Sequence, residues 1–219
     1  MSQPEANERD YQEIKKYYQH KLETYGDTPQ GLAWPNQEDM ELRYRVMLEG
    51  VKEIKNPLIL DWGCGTGRLL EYLQKIDYPC QYSGVDINPQ AIELCKEKFK
   101  DADFHCLDLM VSPLIKQYDY IICNGVYTVK NNLSQDAMMA FLHKSLLRLF
   151  EKCHYGLAFN LMSYHVDWFR DDLFHVPLDA IMSFAAKNLT RHLTIRNDYG
   201  LYEYTVYLYK QPLKVRSCG

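Results

Sequence analysis

The chain has 219 residues, of which 47% are hydrophobic and 25% are charged, and one globular domain can account for that length and composition. Its formal net charge of -4 provides no broad positive surface for a nucleic-acid backbone, so we expect no nucleic-acid partner. No apolar run approaches the roughly 20 residues that cross a bilayer, and the polar N-terminal segment lacks an apolar signal core, which together predict a cytoplasmic protein without a membrane span.

The N-terminal quarter is predicted to be helical. The pattern favours one helix over about 10–25 and a second over about 37–55, separated by the sequence GDTPQGLAWPN, which is rich in helix-breaking residues. We treat 1–56 as a helical lid segment on a core of 57–219, within a single domain of 1–219.

Apolar strand-like runs then alternate with amphipathic segments of helical length. The runs are PLILDWG, QYSGVDI, ADFHCLDL and YDYIICNGVY, and helices are predicted over 68–76, 89–99 and 135–153. This βαβα alternation is typical of a doubly wound, mostly parallel sheet with helices on both faces.

The C-terminal part departs from this alternation. After YGLAFNLMS and a helix near 178–186, the runs LTRHLTIRND and YEYTVYLYK follow one another with only a short turn between them. Two strands so connected predict an antiparallel hairpin, so that the last strand of the sheet runs antiparallel.

A glycine-rich turn follows the first of these strands. It reads Gly63-Cys64-Gly65-Thr66-Gly67 and continues with Arg68, whereas a dinucleotide fingerprint would place glycine at position 68 and a phosphate loop would end in Gly-Lys-Ser/Thr. Asp61, at the end of the same strand, would also repel a pyrophosphate. The turn therefore indicates a nucleotide site without a phosphate cradle.

Two further acids end the next two strands. Asp86 ends the second strand, where a carboxylate can accept hydrogen bonds from both hydroxyls of a ribose, and Asp108 ends the third, where an adenine edge could lie. The segment NGVY, beginning at Asn124, ends the fourth. The pattern favours a ligand with a ribose and no pyrophosphate.

These four segments, in this order, resemble the motifs of the class I S-adenosylmethionine (SAM) dependent methyltransferases. The resemblance runs over about 58–129, and the C-terminal hairpin extends it to a sheet of seven strands. It implies SAM as the methyl donor, S-adenosylhomocysteine as its product, and binding of the methionine part at the glycine loop and Asn124, of the ribose at Asp86, and of the adenine at Ile87 and beside Asp108. The residues implied are Asp61, Gly63, Cys64, Gly65, Gly67, Asp86, Ile87, Asp108, Leu109, Asn124 and Gly125.

Candidates for the acceptor side are less specific. His165, in the segment FNLMSYHVDW, is the first choice for a general base because imidazole titrates near neutral pH, and Tyr127 is a candidate for positioning the acceptor. An exposed loop histidine and a packing aromatic are the structural alternatives. Tyr17, Tyr18, Tyr25 and Trp34 are predicted to form a lid over SAM. Arg43 is predicted to pair with the SAM carboxylate.

The class of acceptor follows from what the sequence contains. The turn Asn124-Gly125-Val126-Tyr127 lacks the two prolines of the Asn/Asp-Pro-Pro-Tyr/Phe turn found in enzymes that methylate amino groups of adenine or glutamine. The seven cysteines show no C-x-x-C spacing and no paired Cys/His spacing, so we expect reduced thiols and no metal site. We expect a small or medium-sized metabolite as acceptor; a SAM-binding partner subunit without transfer activity, or a tRNA or protein methyltransferase, is the alternative.

Overall fold

One mixed sheet organises the part of the chain that the computed structural model describes, residues 11–52 and 54–213. Its strands, in chain order, are β1 (Leu58–Trp62), β2 (Gln81–Asp86), β3 (Asp103–Cys106), β4 (Tyr118–Cys123), β5 (Cys153–Ser163), β6 (His175–Val176), β7 (Leu193–Arg196) and β8 (Glu203–Tyr209). Seven of them follow the order β3-β2-β1-β4-β5-β8-β7, and β6 pairs with β5 off this path.

The strand directions match the predicted architecture. The five neighbouring strands β3, β2, β1, β4 and β5 pair in parallel. Strand β8 is antiparallel to both of its neighbours, β5 and β7. The prediction of a doubly wound, mostly parallel sheet with an antiparallel last strand is therefore confirmed. The chain order reverses between β1 and β4, and in such sheets ligands bind outside the carboxyl ends of the strands at this point.

Helices cover both faces of the sheet. They are α1 (Gln12–Tyr25), α2 (Gln37–Leu48), α3 (Arg68–Lys75), α4 (Pro89–Lys98), α5 (Gln135–Lys152) and α6 (Leu178–Asn188), with one turn of 3-10 helix at Gln30–Leu32. A core with α1, α5 and α6 fills one side, and a second core with α2 and α3 fills the other. No helix within the described ranges is long and apolar enough to cross a membrane.

Helix α2 is shorter than the predicted 37–55. It begins at a proper cap, where Asn36 Oδ1 accepts a hydrogen bond from Asp39 N (2.7 Å). It ends at Leu48 because the hydroxyl of Tyr207 donates to the carbonyl oxygen of Val46 (2.6 Å), which a further helical turn would have used. The ring of Tyr207 lies where a side chain at Gly50 would be, 2.4 Å from an added Cβ.

The short strand β6 was not predicted. Two residues are too few to show an alternating pattern, and their pairing with Met162 and Ser163 depends on the tertiary structure. Among the described cysteines all six are free and four are buried; Cys218 lies outside the described residues.

Candidate active site

A cavity of about 1180 Å³, including its mouth, opens at the carboxyl ends of β1, β2 and β4. Its floor is the glycine turn after β1, and helix α1 and the segment around Trp34 cover it. The lining residues named in the sequence analysis are Trp34, Asp61, Gly63, Cys64, Gly65, Asp86, Ile87, Asp108, Leu109, Asn124 and Gly125.

The glycine turn is fixed to the neighbouring strand. The backbone N–H groups of Gly63 and Cys64 both donate to the carbonyl oxygen of Val85 on β2, at 2.8 and 3.1 Å. Gly63 has φ +79°, and a Cβ there would lie 2.4 Å from Val126 Cγ2. Glycine is required at this position because both the backbone conformation and the space exclude a side chain.

Asp86 joins the glycine turn to the start of α4. Its Oδ2 accepts a hydrogen bond from Gly65 N and its Oδ1 accepts one from Asn88 N, both at 2.8 Å. Burial raises the pKa of Asp86, while the backbone donors oppose this rise. Each carboxylate oxygen can accept a second hydrogen bond, so the side chain can still bind a hydroxyl in the cavity.

Asp61 is the most deeply buried acid of the site, with 3% of its surface exposed. Burial raises its pKa to about 7, helped by the nearby charge of Asp86, although the Tyr82 hydroxyl donates to Asp61 Oδ2 at 2.8 Å. The carboxyl group therefore changes charge near neutral pH and would be held in its ionised form by a cationic ligand group.

Asp108 connects the end of β3 to the covering helix. Its Oδ2 accepts hydrogen bonds from Tyr11 Oη (2.6 Å) and Gln12 Nε2 (3.3 Å), and its Oδ1 accepts one from Met110 N (2.9 Å). Farther along the same helix, the hydroxyl of Tyr18 donates to the carbonyl oxygen of Gly125 at 3.2 Å. Helix α1 is thus attached at two points above the cavity.

Asn124 presents an amide that has no partner. It is buried and lines the cavity, and neither its Oδ1 nor its Nδ2 makes a hydrogen bond with any described residue. An unsatisfied buried amide costs about 1–3 kcal/mol, so this group is expected to be completed by a ligand with both a donor and an acceptor.

Gly125, the next residue, brings Trp34 close to the backbone. It has φ +81°, and an added Cβ would lie 2.6 Å from the indole ring of Trp34. Its N–H donates to Asn160 Oδ1 on β5 at 2.8 Å. The turn after β4 is therefore fixed by β5 beneath it and covered by Trp34.

Arg43 lies under Trp34 and does not line the cavity. Its Nε lies 2.8 Å from Glu203 Oε1, and its guanidinium stacks on the Trp34 ring at 4.6 Å. Asn160 Nδ2 donates to Glu203 Oε2 at 3.2 Å. The predicted pairing of Arg43 with the SAM carboxylate thus has a competitor in Glu203, which the sequence did not reveal.

The segment between α1 and α2 is attached to the core through Asp27. Its carboxylate accepts hydrogen bonds from Thr66 Oγ1 (2.5 Å) and Lys98 Nζ (2.8 Å), and Arg68 pairs with it at 3.0 Å. Burial acts to raise the pKa of Asp27, but these partners together hold it below its ordinary value.

Four residues singled out in the sequence lie outside the cavity lining. Gly67 caps the start of α3, and Arg43 pairs with Glu203. Tyr127 is fully buried in the core, with its hydroxyl 2.7 Å from Ser145 Oγ, so the structure places it away from any acceptor in the cavity. His165 is exposed in the loop after β5.

Helix α1 and the residue before it contribute lining residues of which only Tyr18 was predicted from the sequence. Tyr11, Ile14, Lys15, Tyr18 and Leu22 line the cavity, whereas Tyr25 is exposed. The signal was the helical spacing of Tyr11, Ile14, Tyr18 and Leu22, which places all four on one face of the helix.

Comparison with known proteins identifies a domain family within the chain. The model of the methyltransferase domain family matches residues 59–148, which contain the glycine turn and the ends of β1 to β4. The chain therefore contains a region that matches a methyltransferase domain.

Curated relatives are also named as methyltransferases. Rv1506c of Mycobacterium tuberculosis, named as a methyltransferase, is 27% identical over 157 residues that cover 69% of this chain and 92% of the relative. The malonyl-[acyl-carrier protein] O-methyltransferase of Bacillus cereus is 32% identical over 103 residues, covering 46% of this chain and 38% of that enzyme. The chain thus spans well under half the length of this second relative.

Solved structures share the fold at low identity. Magnesium protoporphyrin IX methyltransferase from Synechocystis PCC 6803 with bound SAM has a TM-score of 0.60 at 15% identity, covering 92% of this chain and 97% of that one. Human N-acetylserotonin methyltransferase in complex with SAM has a TM-score of 0.59 at 15% identity, covering 94% and 67%.

Proposed function

We propose that this methyltransferase transfers the methyl group of SAM to a small or medium-sized metabolite by in-line displacement. The observation that carries the proposal is the row of Asp61, Asp86 and Asp108 along one covered cavity, with the unpartnered amide of Asn124 at one end. The proposed unit is a single domain of 1–219 with 1–56 as its lid segment. A cytoplasmic location stays a prediction.

The cavity residues fit the parts of SAM. Asp61 would bind the amino group and Asn124, with the backbone of Gly125, would bind other polar atoms of the methionine part. Gly63, Cys64 and Gly65 would pass beneath that part, because their turn carries no bulky side chain toward it. Asp86 would accept hydrogen bonds from the ribose, Ile87 and Leu109 would pack on the adenine, and Asp108 would border its edge.

SAM supplies a methyl group already activated by its sulfonium, so the protein must chiefly orient the acceptor and exclude water. Trp34, Tyr18 and Leu22 cover the cavity and would exclude water from it. Gly125 is held by Asn160, so the turn that borders the methionine part would keep one position while an acceptor binds.

A small acceptor is favoured over RNA or protein by two observations. The formal charge of -4 gives no general attraction to a phosphate backbone. Two of the similar solved structures are named for small-molecule acceptors, magnesium protoporphyrin IX and N-acetylserotonin.

Calorimetry with S-adenosylhomocysteine tests the cofactor residues. Asp86→Ala should weaken binding about 100-fold, because two charge-assisted hydrogen bonds of about 1.5 kcal/mol each are lost. Asp101→Ala, which removes an exposed acid before β3, is the matched control and should bind like the wild type. Equal affinity of the two variants would refute the ribose assignment.

Methyl-labelled SAM tests transfer and the class of acceptor. The protein is incubated with labelled SAM and with cell extract divided into small-molecule, RNA and protein fractions. Label is expected in the small-molecule fraction. Strong binding of S-adenosylhomocysteine with no label in any fraction would indicate a SAM-binding partner subunit. Label in the RNA or protein fraction would instead indicate a tRNA or protein methyltransferase.

A further inference from the structure

His175 is a buried histidine outside the SAM cavity. It lies on β6 with 7% of its surface exposed, and its Nδ1 is 2.7 Å from the carbonyl oxygen of Ser163. Its Nε2 is buried and makes no hydrogen bond with any described residue. A buried polar atom without a partner is rare, and this one belongs to a side chain suited to proton transfer.

The contact with Ser163 determines which nitrogen carries the proton. A carbonyl oxygen can only accept a hydrogen bond, so Nδ1 must be the donor. In the neutral ring the proton therefore lies on Nδ1, and Nε2 has a free lone pair. The ring is further fixed through its backbone, because Gln135 Nε2 donates to the carbonyl oxygen of His175 at 2.8 Å. This arrangement presents Nε2 as a base in a fixed orientation.

The strand register places His175 on the face of the sheet that carries Asn160. His175 pairs with Met162 of β5, so their side chains share a face, and Asn160, two residues earlier on β5, also lies on that face. Asn160 holds Gly125, which lines the cavity. His175 therefore lies on the neighbouring strand beside Met162, and Met162 is two residues, or roughly 7 Å in strand rise, from Asn160.

Backbone hydrogen bonds connect β6 to the same turn. Phe174 N donates to the carbonyl oxygen of Thr128 at 2.9 Å, and Thr128 Oγ1 donates to the carbonyl oxygen of Gly125 at 2.9 Å. The position of His175 is thus set relative to the turn where the methionine part of SAM is proposed to bind.

An aromatic loop covers the imidazole. Phe169 contacts the His175 ring edge to face at 4.8 Å, yet 54% of Phe169 is exposed, and Tyr164 packs against Phe169 at 5.2 Å. Trp168, in the same loop, is also half exposed. Exposed aromatic rings beside a buried base form a surface suited to a flat, apolar molecule that carries one ionisable polar group.

We propose that His175 is the general base for an acceptor hydroxyl on an aromatic or other flat apolar body that binds against the loop of Tyr164, Trp168 and Phe169. The acceptor oxygen would form its bond to the methyl carbon as the carbon–sulfur bond breaks, sulfur would keep that electron pair, and the hydroxyl proton would pass to Nε2 of His175. The imidazolium would then release the proton to water. This inference rests on the proposed methyl transfer.

The first test measures product formation. Single-turnover labelling of the small-molecule fraction should be about 100-fold slower in His175→Gln at pH 7, since general base catalysis contributes at least that factor. Affinity for S-adenosylhomocysteine should stay within threefold. His154→Gln, at the opposite end of β5, is the matched control, and His165→Gln tests the rival base. A rate within threefold of wild type in His175→Gln overturns the inference.

The product chemistry sharpens this test. The labelled product should be an ether that survives alkali, whereas release of labelled methanol would show a carboxylate acceptor and overturn the inference.

A second readout needs no acceptor. Nitrogen NMR of ¹⁵N-histidine-labelled protein saturated with S-adenosylhomocysteine, assigned by comparison with His175→Gln, should show the neutral Nδ1-protonated form of His175. An Nε2-protonated ring would overturn the inference even if transfer occurs. Failure to bind S-adenosylhomocysteine would instead count against the proposed function, so the two failures are distinguishable.

Discussion

The two halves of the candidate active site differ in how they are held together. At β1 to β3, the glycine turn, Asp86 and Asp108 bind backbone N–H groups within or between adjacent strand–turn–helix units, and only Asp108 adds distant side-chain partners, from the N-terminal segment. At β4 to β8, the groups are held by partners far apart in the sequence, such as Arg43 with Glu203 and Thr128 with Phe174. The first half is therefore locally encoded, and the second depends on the whole fold.

The largest expected effect lies in the second half. Glu203→Ala should lower the free energy of unfolding by about 3–5 kcal/mol, because it leaves the buried guanidinium of Arg43 and the amide of Asn160 without their acceptor. Urea denaturation of the full chain measures it. If the halves are separable, affinity for S-adenosylhomocysteine should fall less than tenfold.

A paired replacement controls for loss of volume. The double variant Arg43→Met, Glu203→Met should be more stable than Glu203→Ala, because it removes the uncompensated charge while it keeps the space filled. A double variant less stable than Glu203→Ala would contradict this account. Complete loss of S-adenosylhomocysteine binding in folded Glu203→Ala would show that the two halves are one unit.

The same contrast explains which residues the sequence could predict. Asp61, Asp86 and Asp108 each end an apolar run, and parallel strands bring such ends to one edge of the sheet, so their meeting follows from local pattern. Nothing local distinguishes Arg43 from an exposed helix arginine, because its partner is on the last strand. β6 is two residues long and has no pattern of its own, so the burial of His175 could not be predicted.

The errors in the sequence analysis have the same origin. Tyr127 follows β4 directly, but its side chain points into the core, where it meets Ser145 of α5. The end of α2 is set by Tyr207, on the last strand. In both cases a partner in a distant segment determined the outcome, and intrinsic propensity did not.

A smaller effect tests the first half through pH. The unfolded carboxyl of Asp61 titrates near 3.8 and the folded one near 7. The folded state therefore binds this proton more tightly, and the contribution of Asp61 to the stability of the unliganded protein is full below about pH 4 and is lost as the pH rises to about 7.

Ligand binding should show the opposite pH dependence. If ionised Asp61 binds the ligand amino group, affinity for S-adenosylhomocysteine should be about 20-fold weaker at pH 5.5 than at pH 7.5, since only a few per cent of a group with pKa 7 is ionised at the lower value. Calorimetry at the two pH values measures this ratio. Asp61→Asn should bind weakly and show a nearly flat profile; an equally steep profile in that variant would assign the proton to another group.

The smallest expected effect concerns the attachment of the lid segment to the first half. Asp27→Asn should weaken S-adenosylhomocysteine binding by about threefold, because partly exposed ion pairs such as those with Lys98 and Arg68 contribute at most about 1 kcal/mol. Amide hydrogen exchange should become faster in residues 26–36. Because the partners lower the pKa of Asp27, their stabilisation is present above its ordinary pKa of 3.8 and is lost as the pH falls through the lower folded value. Glu38→Gln, an exposed change at the start of α2, is the control. A loss above tenfold in Asp27→Asn with no change in exchange would mean that Asp27 acts on the ligand itself and not through the lid segment.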